Sequence, residues 1–198
     1  MPRGPRLDAP GALHHVIARG IGGEAIFRDE NDRLNMLHRL GDLIGPQRAV
    51  IYAWVFMLNH FHLLLRTLGS RLSTVMRKLL TGHAIYFNRR YKRTGHLFQN
   101  RYWSCLVEEQ GYFENLVAYI HLNPVQLGPN LTLEQLKTYP WTGHSALLQG
   151  NCPKWFDPRL TLSKFGQTQT EAIAQYLTQL KVFKQTKDRR DFSGGGLI

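Results

Sequence analysis

The chain has 198 residues, 43% of them hydrophobic and 11% aromatic, which is enough for one core of ordinary domain size and too apolar for a disordered protein. Its 25 Lys and Arg face 14 Asp and Glu, a formal net charge of +11 that points to a polyanionic partner. The longest apolar run, "AVIYAWVFML", has ten residues, half of the roughly 20 that a membrane helix needs, and the N-terminal "MPRGPRLDAPG" has no apolar signal core. A soluble, cytoplasmic protein with no membrane partner is expected. Cys105 and Cys152 stand far apart, in no zinc-like spacing, and read as ordinary thiols.

In chain order, "HHVIARG" is a short β-branched run ended by "GIGG". "DENDRLNMLHRLGDLIG" opens with acids and places Leu34, Leu37, Leu40 and Leu43 or Ile44 at helical spacing before Gly45-Pro46. "AVIYAWVFML" and "HFHLLLRTL" meet at Asn59 with no room for a helix between them, so they predict an antiparallel hairpin. "LSTVMRKLLTGHAIYFNRRY" predicts a helix with Val75, Leu79 and Ala84 inward, and after a turn at Gly95, "RYWSCLVEE" reads as the last strand. The order β-α-β-β-α-β is the split, ferredoxin-like form of an antiparallel α+β sheet. A further helix follows in "GYFENLVAYIHLNPVQLG", expected to stop at Asn123-Pro124 because the residue before proline is pushed out of helical angles. Residues 151–198 read as a polar extension to a domain of residues 1–150, with one amphipathic helix in "EAIAQYLTQLKVF" and a "SGGGLI" tail expected to be disordered.

The basic charge is concentrated. From residue 43 to residue 107 there is no acid, while Arg48, Arg66, Arg71, Arg77, Lys78, Arg89, Arg90, Lys92, Arg93 and Arg101 all fall there. A solvated face without function would have acids interspersed, so nucleic acid is the expected partner. The segment "AIYFNRRYKRTGHLFQNRYW" interleaves these charges with Tyr86, Phe87, Tyr91, Phe98, Tyr102 and Trp103. Guanidinium groups reach phosphates and rings stack on unpaired bases, a mixture suited to single-stranded or distorted DNA, although some of these rings, Phe87 and Trp103 first, belong to the core.

In "WVFMLNHFHLLLR", His60 and His62 lie two apart on a strand, on one face and about 6–7 Å from each other, with Phe61 on the other face. Two buried imidazoles there are either separately hydrogen-bonded core residues or a pair gripping one ion, and the residues alone leave both readings open. Neutral imidazole suits Mn²⁺, Co²⁺ or Zn²⁺ and, less well, Mg²⁺; two ligands alone hold none of them firmly.

"WVFMLNHFHLLL", "GHLFQNRYWSCLV", "YFENLVAYIHLNPVQLG" and "YPWTGHSALLQG", in this order over residues 13–150, resemble the REP-associated tyrosine transposases. These are relatives of the one-tyrosine insertion-sequence transposases within the HUH class of single-strand DNA nucleases. The resemblance implies that His60 and His62 bind a divalent metal, Mg²⁺ or Mn²⁺, that Asn123 completes the site, and that Tyr119 is the nucleophile on a C-terminal catalytic helix. Helical spacing agrees, since Tyr119 and Asn123 are four apart and share a face while His121 points elsewhere. The expected chemistry is transesterification of single-stranded or hairpin DNA, leaving a 5′-phosphotyrosyl enzyme and a 3′-hydroxyl. The expected DNA contacts are Arg66, Arg77, Lys78, Arg89, Arg90, Tyr91, Lys92, Arg93 and Arg101. Tyr86, Tyr91 and Tyr102 are the competing nucleophiles, and no general base is evident. A monomer is expected over the swapped dimer of the small insertion-sequence enzymes. Two other functions stay open: a binding module that has lost turnover, and a nuclease that activates water instead of Tyr119.

Overall fold

The computed structural model describes residues 10–45, 48–107, 112–126, 131–150 and 152–185; the "SGGGLI" tail lies outside them. Strands β1 (Leu13–Arg19), β2 (Ala49–Phe56), β3 (His60–Thr67) and β4 (Trp103–Leu106) form one antiparallel sheet in the order β2-β3-β1-β4. With helices α1 (Glu30–Leu43) and α2 (Leu72–Arg90), this is the expected ferredoxin-like α+β topology. The hairpin turns at Met57–Asn59 as read from the sequence, and its tip is pinned because the backbone N–H groups of Ile26 and Phe27 both donate to the Leu58 carbonyl.

Alternation divides the sheet into two faces. Phe56 and Phe61 meet Phe27 and His83 on the face covered by α1 and α2. The other face is covered by α3 (Phe113–Gln126), which is backed in turn by α7 (Gln169–Gln185). Short helices α4 (Leu133–Leu136), α5 (Gly143–Gln149) and α6 (Pro158–Leu162) fill the connection. Phe156, Leu162, Phe165, Ala172, Tyr176, Leu180 and Phe183 are buried in the same core cluster as the sheet, so the stretch from 152 to 185 is part of the molecule's packing.

Three local expectations are corrected. The inward stripe of α1 is Asp32, Met36 and Leu40, while Leu34 is 42% exposed. Steps of three residues turn 300°, so four leucines so spaced sweep half-way round a helix, whereas steps of four stay nearly on one side. On α2, Val75 and Leu79 are buried and Ala84 packs half-buried against the core as expected, but the fully buried residue of that turn is His83, its Nε2 hydrogen-bonded to the Ile26 carbonyl at 2.8 Å. Finally, α3 runs through Pro124 to Gln126. Proline's fixed φ is itself helical, and so near the helix end its missing N–H costs only a single bond.

Candidate active site

His60 and His62 lie on the α3-covered face of β3, with Phe61 directed into the opposite layer against Phe56. In the β1–β3 ladder Arg19 stands opposite His60, Ile17 opposite His62 and His15 opposite Leu64, so His15 and Arg19 share the histidines' face. Helix α3 lays Tyr119 across this patch, its ring 5.6 Å from that of His62 and 6.0 Å from that of His15, both edge-on. One turn on, Asn123 donates from Nδ2 to the Tyr119 carbonyl at 2.9 Å, which leaves its Oδ1 buried and without a hydrogen bond. Phe183 of α7 stands 6.4 Å behind Tyr119. One chain therefore brings His60, His62, Tyr119 and Asn123 together.

The electrostatics keep the imidazoles neutral. Burial lowers the His60 pKa to about 4, with the Arg19 charge adding to it; opposing it is a hydrogen bond to the Asn123 side chain that only the protonated ring could donate. Burial, then the neighbouring His15, His60 and Arg19, holds His62 well below its ordinary value, and burial alone brings His15 down to about 3. A neutral imidazole has one N–H and one lone pair, and the surroundings decide which nitrogen carries which. For His60 the answer is fixed. Asn59 turns its Nδ2 to the Gly23 carbonyl at 3.0 Å, so its Oδ1, 2.7 Å from His60 Nδ1, accepts the Nδ1–H. The lone pair then sits on Nε2, which is buried beside Asn123 and has no hydrogen-bond partner.

The expected DNA contacts divide into two groups. Arg77, Lys78, Arg89, Lys92 and Arg101 are exposed, and Arg77 and Arg101 stand on two walls of a cavity of about 630 Å³ between α2 and residues 95–102. Arg66, at the far end of β3, donates to the Gly11 carbonyl. Arg90, by contrast, is gripped by Asp29 and Asp32, and Arg93 pairs with Glu24 at 2.9 Å. The Tyr91 hydroxyl donates to Asp32 at 2.9 Å while its ring lies under Arg28 and Arg90. These three side chains are held by acids 58 to 69 residues away in sequence. Among the competing tyrosines, Tyr86 is on α2, across the sheet from the histidines, and Tyr91 follows it at the helix's end, with burial and Asp32 pushing its hydroxyl up to about 12. Tyr102 is buried just ahead of β4.

Three residues of the site were not singled out from sequence: Asn59, His15 and Arg19. The alternation His15–Ile17–Arg19 in "HHVIAR" was a signal that one face of that strand is polar; that this face adjoins His60 becomes visible only with the β1–β3 pairing.

A family model described as "Transposase IS200 like" matches residues 12–123, more than half of the chain and a span that ends on Asn123. The chain belongs to the IS200-like transposase family. Membership makes it a DNA-processing enzyme of the cleaving and rejoining kind. A solved structure of a REP-associated tyrosine transposase bound to a REP hairpin is similar to this IS200-like chain, with 21% identity over 79% of this chain and 92% of that one and a TM-score of 0.55; at that identity the likeness speaks to fold. No curated protein matches the chain in sequence. No helix among the described residues is long and apolar enough to cross a membrane.

IS200-like transposases generally use a divalent metal, and the residues here can be tested against one. Among the described residues no three His, Cys, Asp or Glu side chains gather as a closed cage. What is present is an open set: two neutral imidazoles and one amide, with the buried His60 Nε2 and Asn123 Oδ1 both lacking partners. Buried polar atoms without partners cost about 1–3 kcal/mol each, and a shared cation relieves both at once. The donor set fits a divalent ion that leaves coordination positions open for phosphate oxygens and water.

Proposed function

We propose that the protein is a metal-dependent single-stranded DNA endonuclease and strand transferase that acts on hairpin or palindromic DNA through a 5′-phosphotyrosine intermediate. The observation that carries this reading is the meeting of Tyr119 and Asn123, on one face of α3, with His60 and His62 on β3. His60, His62 and Asn123 would hold Mg²⁺ or Mn²⁺. When bound, the ion polarises the scissile phosphate and offsets charge developing on its oxygens.

The chain's own residues do the rest. The edge-on rings of His15 and His62 and the packing of Phe183 hold the Tyr119 phenol at the site. Its Oη attacks phosphorus, the Oη–P bond forms and the P–O3′ bond breaks. The phenolic proton passes to water, and the departing 3′ oxygen takes up a proton to become a hydroxyl. Exchange of one phosphoester for another conserves the bond, so the reverse step rejoins DNA without a nucleotide cofactor. Arg19 stands opposite His60, exposed and positioned to meet the phosphates flanking the cleaved bond.

The DNA path we infer runs from this site over the cavity beside α2. Gln99 N donates to the Arg19 carbonyl and Ile21 N to the Leu97 carbonyl, so residues 97–99 are stitched to the strand end that carries Arg19. The cavity they border offers Arg77 and Arg101 for phosphates and Phe98 for a base face. Arg90, Tyr91 and Arg93 are tied to Asp29, Asp32 and Glu24 and hold the end of α2 in place. The similar solved structure, which holds a REP hairpin, supports a hairpin substrate. The approach of all four residues within one chain supports a monomer.

The test is incubation of an end-labelled DNA hairpin carrying a single-stranded flank with protein and Mn²⁺, followed by a denaturing gel. A protein-linked labelled band that disappears in EDTA is expected. Cleavage without such a band would indicate hydrolysis, and binding without cleavage an inactive module.

A further inference from the structure

We propose that His15 is a positioning residue for the metal site: it accepts a hydrogen bond from His62 Nδ1 and thereby aims the His62 Nε2 lone pair at the ion. The inference rests on the metal reading above and extends it to a residue outside the donor set. His15 Nε2 and His62 Nδ1 are 2.9 Å apart, both buried. Their rings are 5.2 Å apart between centroids and only 16° from parallel. A ring nitrogen lies a little over 1 Å from its centroid, so a 2.9 Å contact plus two such radii spans the full 5.2 Å. The two rings are thus nearly coplanar and joined edge to edge, the geometry of an in-plane N–H···N hydrogen bond.

One proton is shared by these two nitrogens, and either could in principle own it. Nothing on the far side of His15 decides the matter, since its Nδ1 has no hydrogen-bond partner among the described residues. His62 decides it. To ligate through Nε2 it must keep its proton on Nδ1, and the atom facing Nδ1 must then accept. His60 is arranged the same way, with its Nδ1–H held by Asn59 Oδ1 at 2.7 Å. Each of the two ligand imidazoles therefore has its own acceptor, one an amide and one an imidazole. Both acceptors are uncharged. A carboxylate would orient His62 as well, but it would set a negative charge beside a site that must receive a phosphodiester, whereas neutral His15 orients without repelling it. The His15 ring is itself fixed, edge-on to Trp103 at 5.6 Å and to Tyr119 at 6.0 Å.

The experiment measures Mn²⁺ binding to the DNA-free protein by calorimetry in wild type, His15→Leu, His15→Gln and His60→Ala. Loss of an outer-shell partner of a metal-bound imidazole typically weakens binding 10- to 100-fold. His15→Leu should show a loss of that order, and His15→Gln, which restores an acceptor, should recover most of it. A second measurement needs no variant: imidazole ¹⁵N shifts of the wild-type protein with Mg²⁺ should report His62 as protonated on Nδ1 and bare on Nε2. His15→Leu binding Mn²⁺ as tightly as wild type, His15→Gln no better than His15→Leu, or a proton on His62 Nε2 in the loaded protein would each overturn the inference. If His60→Ala also left Mn²⁺ affinity unchanged, the metal site itself would be wrong; if only His15→Leu did, His15 alone would lose its role.

Discussion

Helix α3 has a buried histidine cluster on each side, and the two are built to opposite ends. Towards the sheet lie His15, His60 and His62 with Tyr119 and Asn123. Away from it, His121 Nδ1 and His144 Nδ1 both meet the buried Tyr176 hydroxyl of α7, at 2.8 and 2.6 Å. A hydroxyl has one proton to give, so Tyr176 donates to one ring and accepts from the other, and the contact is complete within the chain. Burial drives the Tyr176 pKa well up and both histidines down, so the trio stays neutral. His121 Nε2 has no hydrogen bond and faces the Gly143 backbone, where a methyl group would come within 2.7 Å of it. That nitrogen lies near the indole Nε1–H of Trp54, a donor also without a hydrogen bond, whereas the sheet-side cluster leaves two acceptors beside each other, His60 Nε2 and Asn123 Oδ1. Burial and residue type are the same in both places; where the second nitrogen points separates a structural bolt from a reaction site.

His60→Ala or His62→Ala should reduce DNA cleavage to background while DNA affinity stays within about twofold, because affinity comes chiefly from phosphate contacts elsewhere. Assays of cleavage and filter binding on the same preparations check this, and parallel loss of binding would make the pair structural. Next in size is an acid effect from the closed cluster and from His83. His144 and His83 are each lowered by burial from 6.5 to about 4. Below pH 6.5 the unfolded chain takes up protons that the folded chain refuses until about pH 4, so stability is full above 6.5 and falls as pH drops through that window. The loss should reach about 2 kcal/mol per histidine by pH 5, read from urea unfolding at pH 7 and pH 5.

Tyr176→Phe removes the hydroxyl that both rings use and should cost about 1–3 kcal/mol of stability, seen as a lower melting temperature, while folded protein still cleaves DNA. The smallest effect separates free cations from held ones. Arg77→Ala should weaken DNA binding and lower the salt slope by about one, whereas Arg93→Ala, which releases Glu24, Asn88 and the face of Phe87, should leave that slope unchanged in a salt titration.

Much of the fold was legible because its signals are local. Two apolar runs meeting at Asn59 can only form a hairpin, and the spacing of Tyr119 and Asn123 along a helix puts them on one face whatever surrounds it. What escaped was non-local. The run from residue 43 to 107 has no acids in sequence, yet in space Asp29, Asp32 and Glu24 reach into it and take Arg90 and Arg93. His15 and Arg19 become part of the site only because β1 pairs with β3. The core role of α7 was hidden for the same reason, since Tyr176 and Phe183 make sense only against α3.

The central claim is that Tyr119 becomes joined to DNA, and peptide mapping of the adduct tests it most directly. Protein incubated with hairpin DNA and Mn²⁺ is digested with nuclease and trypsin, and the nucleotide-bearing peptide is sequenced by mass spectrometry. The nucleotide is expected on Tyr119, with no adduct from Tyr119→Phe. A nucleotide on Tyr86, Tyr91 or Tyr102, or an adduct surviving in Tyr119→Phe, would contradict it.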